Sequence, residues 1–289
     1  MLRLICAACL LLITPPAWAQ QVSAQDDRGV TVSLSQPARR IVSLAPHATE
    51  LAFAAGAGSF VVGVTAFSDY PPAAKRIQPL GDSGKVDIER ILALKPDLVL
   101  AWQSGNHSGD LAQLERLGVR IFVTEPRHLQ DIPRLLRAVG RLAGTDVKAK
   151  RAATGFEQRM ARLKNKFAAR KPVSVFYQIW DAPLMTVNGE HLINDVIELC
   201  GGRNIFAVLT NLTPTISMES VVSLDPEVIF ASGGLYQNEQ VWKSWRRFSG
   251  MRAVRKEQMY FIHPDLIQRQ TPRILEGAEH LCEQLDRAR

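Results

Sequence analysis

The 289-residue sequence holds no G-x-S-x-G nucleophile elbow, no H-E-x-x-H and no phosphate-binding P-loop, and no C-x-x-C follows its first twenty residues. These absences remove the short signatures of serine hydrolases, zinc peptidases, nucleotidases and thiol redox enzymes. Gly56-Ala57-Gly58 is followed by Gly63, whereas a dinucleotide fingerprint needs its third glycine at position 61. The six histidines, at 47, 107, 128, 191, 263 and 280, stand singly with no ligand spacing, so no metal site is expected. Blocks of like charge are missing as well. The net charge of +7 is scattered along the chain, and Arg246-Arg247 reads as a solvated face, which excludes a nucleic-acid partner. Nothing argues for chemistry, and no enzyme activity and no cofactor are expected.

Long apolar runs are also absent, apart from one of about ten residues at the start, shorter than the roughly 20 a membrane span requires. Arg3, the apolar stretch 4–13 and Ala17-Trp18-Ala19 make residues 1–19 a secretory signal peptide cleaved near Ala19. The mature chain is then exported, and it keeps two of the four cysteines, Cys200 and Cys282. An even pair in an oxidising compartment suggests one disulfide; the alternative is two unrelated buried thiols. With 46% hydrophobic and 22% charged residues the chain is an ordinary globular protein, long enough for one large domain or two lobes.

Residues 20–39 are polar and read as a flexible N-terminal segment. From residue 40 strands alternate with helices: strands at 40–44, 60–64, 97–102, 119–123 and 173–179, helices at 49–55 and 87–94. This is the pattern of an α/β fold with a mostly parallel sheet. Phe156, Met160, Leu163 and Phe167, spaced four, three and four apart, mark one face of a long amphipathic helix. The division is therefore a lobe at 40–145, a connecting helix at 146–171 and a second lobe at 172–289.

An internal repeat supports two lobes. Glu89-Arg-Ile-Leu-Ala-Leu-Lys-Pro96-Asp-Leu-Val-Leu-Ala101 aligns without gaps on Glu219-Ser-Val-Val-Ser-Leu-Asp-Pro226-Glu-Val-Ile-Phe-Ala231. Each copy is a helix, a proline break and a buried strand, and a weaker echo pairs 50–56 with 195–201. Duplicated α/β lobes place a ligand between them, outside the carboxyl ends of the strands. The expected lining is 45–48, 65–69, 102–106, 179–185 and 263–269. Phe67, Trp102 and Trp180 fall just after strands there, suiting a large flat ligand. Asp265 and Arg269, four apart, share a helix face and offer an acceptor and a fork of donors; a simple exposed ion pair is the plainer reading. Glu89 and Glu219 are equivalent in the repeat and suit docking on a symmetric, arginine-bearing partner, although a helix dipole alone favours such glutamates. His47 follows the first strand, where a role as ligand contact or axial ligand competes with that of a solvated loop histidine, the preferred reading.

From residue 40 to 285 the sequence resembles the cobalamin-binding periplasmic proteins that deliver corrinoids to ABC importers, within the helical-backbone class of substrate-binding proteins. The specific phrases are Thr49-Glu50-Leu51-Ala52-Phe53-Ala54-Ala55-Gly56, Ser68-Asp69-Tyr70-Pro71-Pro72, Ala93-Leu94-Lys95-Pro96-Asp97-Leu98-Val99, Cys200-Gly201-Gly202 with Asn204-Ile205-Phe206, and Pro272-Arg273-Ile274. The resemblance implies an α/β fold of two Rossmann-like lobes joined by a single long backbone helix, the class III periplasmic binding protein. It implies a Cys200–Cys282 disulfide, Asp265, Arg269 and Trp102 as ligand contacts, Glu89 and Glu219 as the docking pair for an ABC permease dimer, and a monomer in the periplasm. The family's site is rich in aromatics, and here a tyrosine becomes Phe67 while two tryptophans fall near Ser83 and Thr213. The rival readings are a haem or ferric-siderophore receptor and a secreted enzyme using Asp265.

Overall fold

The structure, a computed structural model, describes residues 21–167, 169–233 and 240–289. The segment expected to be cleaved, 1–19, lies outside the described residues.

Residues 21–39 depart from the flexible segment expected at 20–39. Strands β1 (Val22–Gln25) and β2 (Thr31–Leu34) pair antiparallel. Ala24, Val32 and Leu34 are buried in the main core. The buried Asp26 carboxylate accepts from the N–H groups of Arg28 and Val30 and pairs with the Arg28 guanidinium. Asp27 N–H donates to Val123 O, and the Asp27 carboxylate accepts from Glu125 N–H. The hairpin is thus tied down by apolar burial and by two aspartates, which a polar composition conceals.

In the N-terminal lobe, β3 (Ile41–Ser43) leads into α1 (Pro46–Ala54), with Pro46 in the first helical turn where its missing N–H costs nothing. β4 (Val61–Val64), α2 (Ile88–Ala93), β5 (Leu98–Trp102), α3 (Ser108–Arg116), β6 (Ile121–Thr124) and α4 (Asp131–Ala143) follow. The strands form a parallel sheet in the order β4-β3-β5-β6.

Helix α5 (Asp146–Phe167) then crosses to the second lobe, about 33 Å at 1.5 Å per residue. Ala149, Ala153, Phe156, Leu163 and Phe167 bury one face of it. A bidentate pair from Arg137 on α4 to Glu157, both contacts 2.8 Å, fixes it to the first lobe.

The second lobe has β7 (Val173–Gln178), a short ribbon of β8 (Trp180–Asp181) and β9 (Leu184–Met185), α6 (Leu192–Leu199), β10 (Gly202–Asn204) and α7 (Met218–Leu224). It continues with β11 (Val228–Ala231), α8 (Gln240–Arg246), α9 (Arg252–Arg255), β12 (Met259–Phe261), α10 (Pro264–Ile267) and α11 (Ile274–Ala288). Its parallel sheet runs β10-β7-β11-β12, the same second-first-third-fourth order as the first lobe. Arg159 of α5 holds Glu279 of α11 through two contacts of 2.7 Å. A Cys200–Cys282 disulfide ties the end of α6 to α11.

The repeat holds at the level of single residues. Asp87 and Ser217 cap α2 and α7, their side chains accepting from Arg90 N–H and Ser220 N–H. Lys95 and Asp225, each just before its proline, both have positive φ, 46° and 39°.

Two glycines of the α4 and α5 region separate packing from propensity. An added Cβ at Gly140 would stand 2.1 Å from Ala149 Cβ, whereas Gly155 on the exposed side of α5 has nothing within 4 Å. Gly140→Ala should destabilise by about 1–3 kcal/mol through overpacking. Gly155→Ala should stabilise by about 0.5–1 kcal/mol through helix propensity. Urea unfolding of the two variants reads both signs, and a shared sign would contradict this account of the α4–α5 contact.

Candidate functional site

A cavity of about 500 Å³ opens between the lobes at the carboxyl ends of the strands. Trp102, Ser104, Glu125, Pro126 and Arg127 line it from the first lobe, and Ile179, Glu190, His191, Leu212, Thr213, Gln268 and Gln270 are among its residues from the second. Trp102 ends β5, and the others lie in segments that follow a strand or lead into a helix, the usual place for a ligand in parallel α/β sheets.

Trp102 is held by its own loop. Asn106, buried, accepts from Trp102 N–H at 2.7 Å and donates to Leu44 O and Ser83 O at 2.8 Å each. The indole rests on Gly105, where an added Cβ would lie 1.8 Å from Cε3, and meets the edge of His47 at 5.3 Å between ring centres. One amide and one glycine therefore fix the ring that faces the cavity.

His47 is not a solvated loop residue. It lies buried in α1 with Nε2 2.9 Å from Thr124 Oγ1. The Thr124 hydroxyl donates to Ala101 O, so it accepts from His47 Nε2–H. Burial pushes the His47 pKa down to about 3. His191, on the cavity wall, accepts from Ile193 N–H through Nδ1 at 3.1 Å and so carries its proton on Nε2; burial lowers its pKa to about 4. His263 caps α10 in the same way through Nδ1. All three rings are neutral N–H donors at Nε2 when uncharged.

The sequence-predicted residues divide. Trp102 lines the cavity, while Phe67, Trp180, Asp265 and Arg269 are not on its wall. Phe67 is 77% exposed with φ of 63°, a conformation that a bulky residue adopts only when its surroundings impose it. Trp180 is 40% exposed, its indole N–H donating to Ala182 O. Arg269 is taken up by three carboxylates, at 2.7 Å from Asp69, 2.9 Å from Asp265 and 3.0 Å from Glu50. Burial acts to lower the Arg269 pKa, but the three carboxylates outweigh it and raise it. Burial likewise opposes ionisation of Asp69, yet Arg269 prevails and holds that carboxyl below its ordinary range. Glu89 and Glu219 are exposed, each the second residue of its capped helix. The Glu219 carboxylate is held low by its own backbone N–H and the Ser217 hydroxyl.

Several residues were not foreseen from the sequence. Glu50, 3% exposed, takes Arg273 bidentately at 2.8 and 2.9 Å besides Arg269, and the Arg273 guanidinium lies 3.7 Å from the centre of the Tyr70 ring. This cluster joins α1 of one lobe to the segment between α10 and α11 in the other. Asp195, the partner of Glu50 in the weaker echo, also reaches across, accepting from Leu129 N–H at 3.0 Å with His128 Nδ1 at 3.3 Å. The echo itself was the available signal. Glu125 follows the fourth strand, and extending the strand-end rule to that strand would have found it.

The two lowered histidines set a pH dependence. The unfolded chain binds protons at both near pH 6.5, whereas the folded chain resists until about 3 and 4, so stability rises with pH and is lost as pH falls. Between about pH 4.5 and 6 these two sites should add a slope of about two protons to the unfolding free energy. His47→Gln should lower that slope by about one proton, measured by urea unfolding across the range; an unchanged slope would show that His47 titrates normally.

A sequence model of the periplasmic binding protein family matches residues 41–266. The vitamin B12-binding protein of Vibrio cholerae serotype O1 is 38% identical over 246 residues, covering 85% of this chain and 88% of that protein. The vitamin B12-binding protein of Photorhabdus laumondii is 37% identical over 247 residues, covering 86% and 88%. Among solved structures, the periplasmic vitamin B12-binding protein of Vibrio cholerae superposes with a TM-score of 0.78 at 37% identity, covering 87% of this chain and 98% of that one. A periplasmic haem-binding protein from Roseiflexus, 23% identical with a TM-score of 0.76 and covering 86% and 98%, shares the fold.

Proposed function

We propose a function from one premise: the chain belongs to the periplasmic binding protein family. It is a periplasmic substrate-binding protein that captures cobalamin for import by an ABC transporter, and it is not an enzyme. The observation that carries this reading is 38% identity, over nearly the whole length of both chains, to a vitamin B12-binding protein. The interlobe cavity and its tryptophan supply a place for the ligand.

In this reading Trp102 stacks on the corrin face within the cleft, and Phe67 and Trp180 close on the ring from the exposed rim. The Asp265–Arg269 pair contacts peripheral amides at the same rim. Because Asp69 is the most exposed of Arg269's three carboxylates, it is the partner a ligand amide would displace. Glu89 and Glu219 dock a monomer of this protein on a permease dimer, one glutamate per permease subunit, by charge complementarity.

Haem as the ligand is less well supported. A histidine axial ligand acting through Nε2 would require His191 or His263 to give up the helix cap made by Nδ1, and His47, whose Nε2–H is held by Thr124, lies buried in the core.

Titration calorimetry with cyanocobalamin tests the reading. The mature chain should bind one equivalent at sub-micromolar Kd, and Trp102→Ala should weaken it by about 10- to 100-fold, on the order of 2 kcal/mol. Gly105→Ala should weaken it too, by displacing the indole with the fold intact. Absence of heat with cyanocobalamin, together with a Soret-absorbing complex on adding haem, would replace cobalamin with haem.

The docking role has its own test. Glu89→Ala combined with Glu219→Ala should abolish ATP-driven cobalamin uptake in reconstituted vesicles while leaving the calorimetric Kd within threefold. Full uptake by the double variant would remove these glutamates from docking.

A further inference from the structure

The polar wall of the cavity is unbalanced in a way that the family reading does not require. Two carboxylates line it, Glu125 and Glu190, and neither forms an ion pair among the described residues. Glu125 is fixed at both ends: its N–H donates to Asp27, and its Oε2 accepts from Ser104 N–H at 3.1 Å and Ser104 Oγ at 3.0 Å. The second oxygen, Oε1, has no such partner. Gln268 gives its amide N–H to Ile179 O at 3.2 Å and to Ser232 O at 3.0 Å, which leaves its oxygen as a further acceptor on the wall. Against these acceptors stand the Nε2–H of His191 and the guanidinium of Arg127, the one cationic side chain lining the cavity among the described residues.

A ligand edge that satisfies this wall must bring N–H donors to two carboxylates and an amide oxygen, and a carbonyl to His191. Carboxamides supply both. Carboxylates supply no donor, and they place like charges beside Glu125 and Glu190. We propose that Glu125 and Glu190 are specificity-determining residues that make the cleft select a corrinoid with an amidated periphery and reject the same ring carrying free carboxylates. Selection works through the rejected ligand as much as the accepted one, because an unpaired charge facing the wrong substituent costs affinity. This inference rests on the corrinoid reading above.

The test compares cobinamide, whose corrin carries carboxamides, with cobyrinic acid, the same ring with carboxylates in their place, each as the dicyano form, with cyanocobalamin as reference. The wild-type protein should bind cobinamide at least 30-fold more tightly than cobyrinic acid at low salt, and added salt should narrow the gap by screening. Glu125→Gln combined with Glu190→Gln should raise the affinity for cobyrinic acid at least tenfold and weaken that for cobinamide, because a neutral amide is a poorer acceptor for the ligand's N–H groups, so the gap closes from both sides. Arg127→Gln should act in the opposite sense and weaken cobyrinic acid further. A thermal midpoint within a few degrees of wild type confirms that the variants fold, and the ratio of the two affinities is a readout that a merely structural role would leave alone. Cyanocobalamin binding with cobyrinic acid within threefold of cobinamide, or a gap unmoved in the double variant, would overturn the proposal and leave the corrinoid reading standing. Failure of both cyanocobalamin and cobinamide to bind would overturn that reading and the proposal with it.

Discussion

Glu50 is the constraint on which the geometry of the cleft depends. A carboxylate at 3% exposure is tolerable only if fully paired, and its partners, Arg269 and Arg273, come from the other lobe, 219 and 223 residues away. Removing Glu50 would strip Arg273 of its carboxylate partner and leave Arg269 with Asp69 and Asp265 alone, and the lobes cannot part freely without re-solvating Glu50 and both guanidinium groups. Asp195 makes the corresponding reach from the second lobe to the first, through His128 and Leu129. Two acidic residues from equivalent helices thus grip opposite lobes, and α5, fastened by Arg137–Glu157 on one side and Arg159–Glu279 on the other, forms the third attachment. Three-point attachment favours a cleft whose width is largely set before a ligand arrives, which lowers the ordering cost of binding.

Duplication explains why these attachments come in matched sets. Both sheets have the same strand order, so both present the carboxyl ends of their strands to the cleft and both place a capped helix before the third strand. The positive φ at Lys95 and Asp225 shows the same chain reversal in the two copies. In the second lobe Asp225 stabilises it by accepting from Arg252 N–H and Nε; lysine has no such side-chain acceptor, and the proline that follows blocks continuation of the helix in either case. Glu89 and Glu219 inherit their common position from that geometry.

The architecture was legible in the sequence because it rests on periodic patterns: alternating strands and helices, the apolar stripe of α5, and a gapless repeat. The resemblance to corrinoid-binding proteins was legible through local phrases such as Ser68-Asp69-Tyr70-Pro71-Pro72. The cleft was legible as a place, and Trp102 within it. What escaped depends on partners far away in the chain. Glu50 sits in an otherwise apolar helical stretch and signals nothing until Arg269 and Arg273 are seen beside it. His47 looked exposed because it follows a strand, and only Thr124, 77 residues on, and Trp102 make it a core residue. The hairpin at 22–34 has strands of four residues, too short for a two-residue period to stand out, and its anchors Asp26 and Asp27 read as ordinary loop acids.

The state of the histidines bears on how the ligand is held. The Nδ1 atoms of His191 and His263 are taken up in capping helices, which places their protons on Nε2 in the uncharged rings, and His47 gives its Nε2–H to Thr124 inside the core. Turning His191 or His263 into an Nε2 metal ligand would therefore break a helix cap, a structural cost added to the cost of binding. In the corrinoid reading proposed above, recognition falls to the faces and the edge of a flat ligand: aromatic area for the faces, and acceptors such as Glu125 for the edge. Such a site gains affinity only if its walls stay in register across two lobes. That requirement returns to Glu50, since a cleft that reads an edge needs its two walls at a fixed spacing, and the interlobe ion cluster is what fixes it.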